Sequence, residues 1–172
     1  MVTATETREH SIHSSAREKL LEHLFVGELL KLFWLRNDEL MEVCKPEVDN
    51  AGYDIILEAH GVIRHVQLKA AFIGAKTARQ KIHLALAKKP SGCVVWLYFC
   101  EETLELEPYL FFGGAPGEPL PDLSAFSVAK HTKGNAQGIK KERPNIRVVP
   151  KGTFTRLESQ GELYQTLFGT TK

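Results

Sequence analysis

The sequence predicts an α/β fold, a mixed central sheet flanked by helices, and three features of its 172 residues predict it. Apolar residues recur three and four apart from Ser14 to Trp34, the period of a helix with one wide buried face. Two β-rich runs, YDIILEA and VIRHVQLKA, meet at His60-Gly61, a two-residue link of the kind that closes a hairpin. The unbroken apolar run CVVWLYFC has the length and branching of a strand buried on both faces. Read along the chain, the order is helix, strand, strand, strand, helix, strand, or αβββαβ, followed by a variable tail.

Each element has its own warrant. Residues 1–13 read as a flexible arm, polar and without an apolar period. Ser14 or Ser15 caps the first helix, and Leu20, Leu21, Leu24, Phe25, Leu29, Leu32 and Phe33 build its stripe. ELMEVCKPEV is a short extended run ending at Pro46. After the hairpin, AKTARQKIHLALAK (residues 75–88) reads as a second amphipathic helix, stopped by KPSG. CVVWLYFC pairs with LEPYLFFGG, and GGAPGEPLPD is a Gly/Pro loop. A short helix is expected near NAQGIKKE and a strand at NIRVVP. LESQGELYQTLFG forms a terminal helix, with Gly169 just past its end. A chain of this length suits a single domain with one sizeable core.

Composition bounds the class of protein. An apolar fraction of 43% and a charged fraction of 25% are those of a globular protein, and the longest apolar run is too short to span a bilayer. The N-terminus lacks the apolar core of a secretory signal. Three cysteines without a CxxC pair argue against a disulfide framework or a zinc knuckle, so a reduced, cytoplasmic protein is expected. Charge is uneven. From Lys130 to Arg156 eight basic residues face Glu142 alone, a net +7 that leaves −6 for the rest of a chain whose total is +1. Such a segment can hold a polyanion while acids elsewhere do chemistry. On this ground Lys130, Lys133, Lys140, Lys141, Arg143 and Arg147 are the candidate phosphate contacts.

The hairpin carries the sharpest expectation. With a loop of His60 and Gly61, facing residues have indices that sum to 121, so Asp54 faces Gln67. Facing residues share one side of a sheet, with Cβ atoms roughly 4.5–5.5 Å apart. Lys69, two residues beyond Gln67, shares that side. The other side carries Ile55, Leu57, Ala59, Val62, Val66 and Leu68, with Arg64 a misfit whose head is expected to reach water. A carboxylate, an amide oxygen and the Leu68 backbone carbonyl are hard oxygen ligands suited to Mg²⁺ or Mn²⁺. A lysine beside them can orient or deprotonate a water, or neutralise developing charge. Glu28, on the first helix, can face the same spot.

These residues resemble the core of the PD-(D/E)XK nuclease superfamily, the restriction-endonuclease-like fold. Its pattern is a helix with a Glu, a strand with the catalytic Asp, and a strand ending in (D/E/Q)-x-K. Glu28, Asp54 in GYD, and Gln67 with Lys69 in QLK fill those places, and the match covers residues 14–100. Residues 101–172 form a basic C-terminal elaboration outside it. The resemblance implies Mg²⁺-dependent hydrolysis of phosphodiester bonds, in DNA more than RNA. Two departures qualify it. Gln67 replaces the usual acid and lowers the negative charge on offer to a metal. Asp49 competes for the upstream aspartate, although strand parity favours Asp54.

Gln80 and Lys81, in TARQK, follow the QLK strand and are further candidates for the phosphate or the site. His65 reads as a half-exposed strand histidine, and His10 and His13 lack further ligands at metal spacing. Trp34, Trp96 and Tyr98 are expected in the core. Two readings stand beside the nuclease: a nucleic-acid-binding module with weak or lost cleavage, and a protein-interaction domain that forms a homodimer through CVVWLYFC and PYLFFGG.

Overall fold

The computed structural model describes residues 14–48, 50–133 and 138–169. The arm 1–13, with His10 and His13, lies outside the described residues, as does Asp49. Helix α1 (Ser14–Leu35) buries Leu21, Phe25, Leu29 and Phe33, one row at four-residue spacing. Strand β1 (Glu42–Cys44) leads to β2 (Ile55–Ala59) and β3 (Val62–Phe72). Their register runs from Ile55 opposite Val66 to Ala59 opposite Val62, the pairing expected from a two-residue turn. His60 and Gly61 both have positive φ, 54° and 71°, which gives the turn the twist its strands require.

Strand β4 (Arg79–His83) leaves this sheet, and the chain returns to it as β5 (Gly92–Phe99), which runs parallel to β3. Strand β6 (Leu106–Gly113) then pairs antiparallel with β5. Strands β7 (Ser127–Lys130) and β8 (Glu142–Pro150) join β4 in a second sheet of order β4-β8-β7. The short β9 (Thr155–Leu157) completes the six-stranded first sheet, of order β1-β2-β3-β5-β6-β9. Helix α2 (Gln160–Phe168) closes the chain, with Gly169 as its C-cap at φ 85°. The molecule is a mixed α/β fold in three layers. One core holds α1 and α2 against Ile55, Leu57, Val66, Cys93, Val95 and Leu97. The other packs Val94, Trp96, Tyr98 and Phe112 under Ile82, Leu86 and Val149 of the second sheet and its connections. No described helix is long and apolar enough to cross a membrane.

Five expectations change. The helix expected over 75–88 is instead β4 followed by a 3-10 turn (Leu84–Lys88). Its helix-forming residues are overruled by the ladder with β8, in which Ile82 faces Arg147 and Gln80 faces Val149. His83 then accepts from the Ala85 N–H at 3.0 Å and starts the turn. Helices therefore cover one face of the large sheet and a small sheet covers the other. The helix near NAQGIKKE falls partly outside the described residues; 138–141 are irregular and Glu142 already opens β8. Trp34 is exposed, and so is Leu20, expected in the buried stripe, because both lie across α1 from Phe25 and Leu29. The runs expected to form a dimer face, β5 and β6, are enclosed between the two cores.

The fifth change is Arg64, which is fully buried. Its guanidinium donates to the carbonyls of Leu167 at 2.8 Å, Thr166 at 3.0 Å and Gly114 at 3.2 Å. It lies 5.7 Å from the centre of the Phe111 ring. A rigid fork with five donors matches carbonyls at a helix C-terminus, where the dipole also favours a cation. All three cysteines are free, and burial pushes the Cys93 thiol up to about 12. Arg64→Ala leaves three carbonyls without their donor, and urea denaturation is expected to show a loss of about 3 kcal/mol. Arg64→Lys recovers less than half of this, because an ammonium cannot span all three. A loss under about 1 kcal/mol for the alanine variant contradicts this role.

Candidate active site

Strand β3 has eleven residues and β2 only five, so beyond Val66 one edge of β3 lacks a strand partner. A cleft of about 540 Å³ opens on that edge. Arg17, Glu18, Lys19 and Glu22 of α1 line one side, Asp54 and the stretch Leu68–Phe72 line its floor, and Ala75, Thr77 and Gln80 line the other. Each wall has a local cause. The first two turns of α1 supply its side of the cleft, and Gln80 lies on β4, an outer strand of the second sheet.

Asp54 is placed by the loop before it. Gly52 has φ 78°, and a Cβ built there would come within 2.8 Å of the His83 Cβ, so the loop rests closely on the end of β4. Tyr53 packs edge-on against His65 at 4.9 Å between ring centres, with the Lys89 ammonium 5.3 Å from its ring centre. The Asp54 N–H then donates to the Val66 carbonyl at 2.9 Å, and the Asp54 Oδ2 accepts from the Leu68 N–H at 2.6 Å. These two bonds straddle Gln67, so Asp54 lies alongside it. In an extended strand the N–H and C=O of one residue point to the same edge. The Leu68 carbonyl therefore faces the cleft edge, as its N–H does.

Gln67 and Lys69 lie opposite Val94 and Trp96 of β5, on the face that carries the second core. Lys69 lines the cleft, while Gln67, two residues before it on β3, is 8% exposed and is not among the residues that line it. The buried Gln67 Oε1 has no hydrogen-bond partner among the described residues. An orphaned amide oxygen on the residue between the two Asp54 bonds is, with the carboxylate and the Leu68 carbonyl, the kind of oxygen set a hard cation takes. Its charge is low: among the described residues there is no group of three His, Cys, Asp or Glu side chains suited to a metal.

Glu28 is not brought into this cleft. It lines a separate one with Glu105, Glu107, Tyr109 and Gln160, and its carboxylate is paired with Lys31 at 3.4 Å. The acids of α1 that do line the Asp54 cleft are Glu18 and Glu22, one turn apart. The sequence signal for them is position: they lie in the first turns of the helix, on the side of Leu21 and Phe25, whereas Glu28 is turned away by six residues. Glu22 is buried and accepts from Lys45 and, at 3.2 Å, from Lys19. Burial pushes its carboxyl upward, but the two lysines outweigh that and hold it below the usual carboxylate range.

The basic residues are spread over the second sheet. Lys130 ends β7, Lys133, Lys140 and Lys141 are exposed in the β7–β8 connection, and Arg143 is exposed on β8. Arg147 is half-buried and donates to the Pro144 carbonyl at 2.7 Å. Lys81 is exposed and points away from Gln80 by strand alternation. His65 is half-buried, its Nδ1 2.7 Å from the Pro90 carbonyl oxygen.

No protein-family model and no curated protein matches this chain. Among solved structures it is similar to a bacterial homing endonuclease, at 19% identity over 68% of this chain and 67% of that one, with a TM-score of 0.29. A likeness that slight decides nothing about activity.

Proposed function

We propose that the cleft hydrolyses phosphodiester bonds of DNA with Mg²⁺ or Mn²⁺ bound, in the manner of the PD-(D/E)XK nucleases that residues 14–100 resemble. The observation that carries this reading is that Asp54 and Lys69 line one cleft at an open strand edge, with Asp54 locked on the Leu68 N–H. Asp54, the Leu68 carbonyl and the Gln67 Oε1 are the oxygens that would hold the cation. A bound divalent cation supplies Lewis acidity, lowering the pKa of a coordinated water and offsetting charge on a phosphoryl oxygen. The chain does the rest. The Leu68 N–H fixes the Asp54 carboxylate, so no reorganisation is needed when substrate arrives. Lys69 neutralises charge in the transition state or takes a proton from the attacking water. Glu18 and Glu22 order water at the mouth of the cleft, in the place assigned from sequence to Glu28. The basic residues of the second sheet hold the DNA backbone without reading bases.

A second reading, a DNA-binding module without cleavage, is favoured by one feature. The donor set has a single carboxylate beside the neutral Gln67, and the nearby Glu22 is already neutralised by Lys19 and Lys45.

Plasmid nicking separates the two. With Mg²⁺ or Mn²⁺ the wild type nicks, EDTA abolishes nicking, and Lys69→Ala and Asp54→Asn each lower the rate by at least about 100-fold. Equal nicking by all three proteins eliminates the catalytic assignment. Binding that falls with salt and is lost on charge reversal of Lys140, Lys141 and Arg143, without nicking, selects the second reading.

The Glu22 pair has its own test. A carboxyl held below its unfolded pKa contributes stability that is present above that pKa and is lost as pH falls through the folded value. Lys45→Met is therefore expected to lower stability by about 1–2 kcal/mol near neutral pH. The difference from wild type shrinks as pH is lowered past the ordinary glutamate value of 4.5. A difference that is constant with pH rules out the ion pair as its source.

A further inference from the structure

We infer that the outer face of α1 is a self-association surface whose occupant is the α1 helix of a second copy of this chain. The helix has a second row that is apolar apart from His23. The inner row packs in the core, while Ala16, Leu20, His23, Gly27, Leu30 and Trp34 follow at three- and four-residue steps on the opposite side. All six are exposed, Leu20 by 45%, Leu30 by 40% and Trp34 by 74%, and Leu35 beside them by 68%. A helix that is apolar on both sides is normally covered on both. An ideal Cβ built on Gly27 meets nothing within 4 Å, so the middle of this row is open.

The spacing favours the helix itself as the partner. Leu20 and Trp34 are each seven residues from Gly27, so an antiparallel pair centred on Gly27 sets Leu20 against Trp34 of the second copy at both ends. Glycine at the crossing lets the two backbones approach closely. In that register Lys19 faces Leu35 and Lys31 faces His23, so no two lysines are opposed, and Lys31 keeps its own Glu28. The exposed row offers on the order of 600 Å² per chain, approaching the ~800 Å² per partner of a standard interface and at the upper end of the ~300–600 Å² of a monomer's largest patch. The inner side of the same helix lines the cleft through Glu18 and Glu22, so pairing sets two clefts about one interface. Self-association of this kind is independent of the chemistry in the cleft.

Sedimentation velocity of the full chain from about 1 to about 100 µM tests it. Wild type is expected to be a dimer at the upper end, and Trp34→Glu and Leu30→Glu each raise the dissociation constant at least ~100-fold, with unchanged far-UV circular dichroism. Gly27→Cys, with Cys44→Ser to remove an exposed thiol, is expected to form a disulfide-linked dimer on oxidation. A wild-type monomer at the highest concentration overturns the inference, and so does a dimer that persists in both glutamate variants without cross-linking at position 27.

Discussion

At Leu68 the backbone N–H meets the Asp54 carboxylate where the next strand would otherwise have supplied a carbonyl. The cleft depends on that replacement. An unpaired N–H on a half-buried edge is costly, and β2 stops at Ile55 while β3 continues to Phe72. A side chain that ends the ladder satisfies one donor and leaves the Leu68 carbonyl on the cleft edge without a strand opposite it. The same bond fixes the carboxylate against the strand that carries Gln67 and Lys69, so three groups of different chemistry are held by one hairpin. A rigid strand pair is a better support for such a set than a loop would be.

The hairpin is held in turn by its two covers. Val66 and Leu68 face α1, while Gln67 and Lys69 face the second sheet, so each side of β3 has a separate anchor. The loop before Asp54 rests on β4 through Gly52 and His83, which links the aspartate to the basic sheet. Arg64 performs the corresponding task for α2, drawing its last carbonyls and Gly114 onto β3. Among the described residues this buried cation has no carboxylate partner and is satisfied by carbonyls, in bonds that burial makes stronger.

The hairpin is legible in the sequence because a two-residue turn determines register without further information, and strand alternation then assigns faces. β5 is legible because a run of eight apolar residues has no solvated alternative. The misreadings have physical causes too. AKTARQKIHLALAK contains good helix formers, and only its distant partner β8 makes Arg79–His83 a strand. Arg64 reads as a surface residue because its acceptors on α2 lie over a hundred residues away along the chain. Trp34 reads as core because aromatic residues usually are, whereas its angular position on α1 points outward. Glu28 stands out over Glu18 and Glu22 because the sequence shows which residues share a helix face but not how far the helix slides along the sheet.

Crystals soaked in Mn²⁺ and measured at the manganese edge test the assignment of the cleft most directly. One anomalous peak is expected within about 2.5 Å of an Asp54 oxygen, with the Gln67 Oε1 and the Leu68 carbonyl among its neighbours, and no peak there in Asp54→Asn crystals. No peak in the cleft of the wild type, or a peak that Asp54→Asn leaves unchanged, would contradict it.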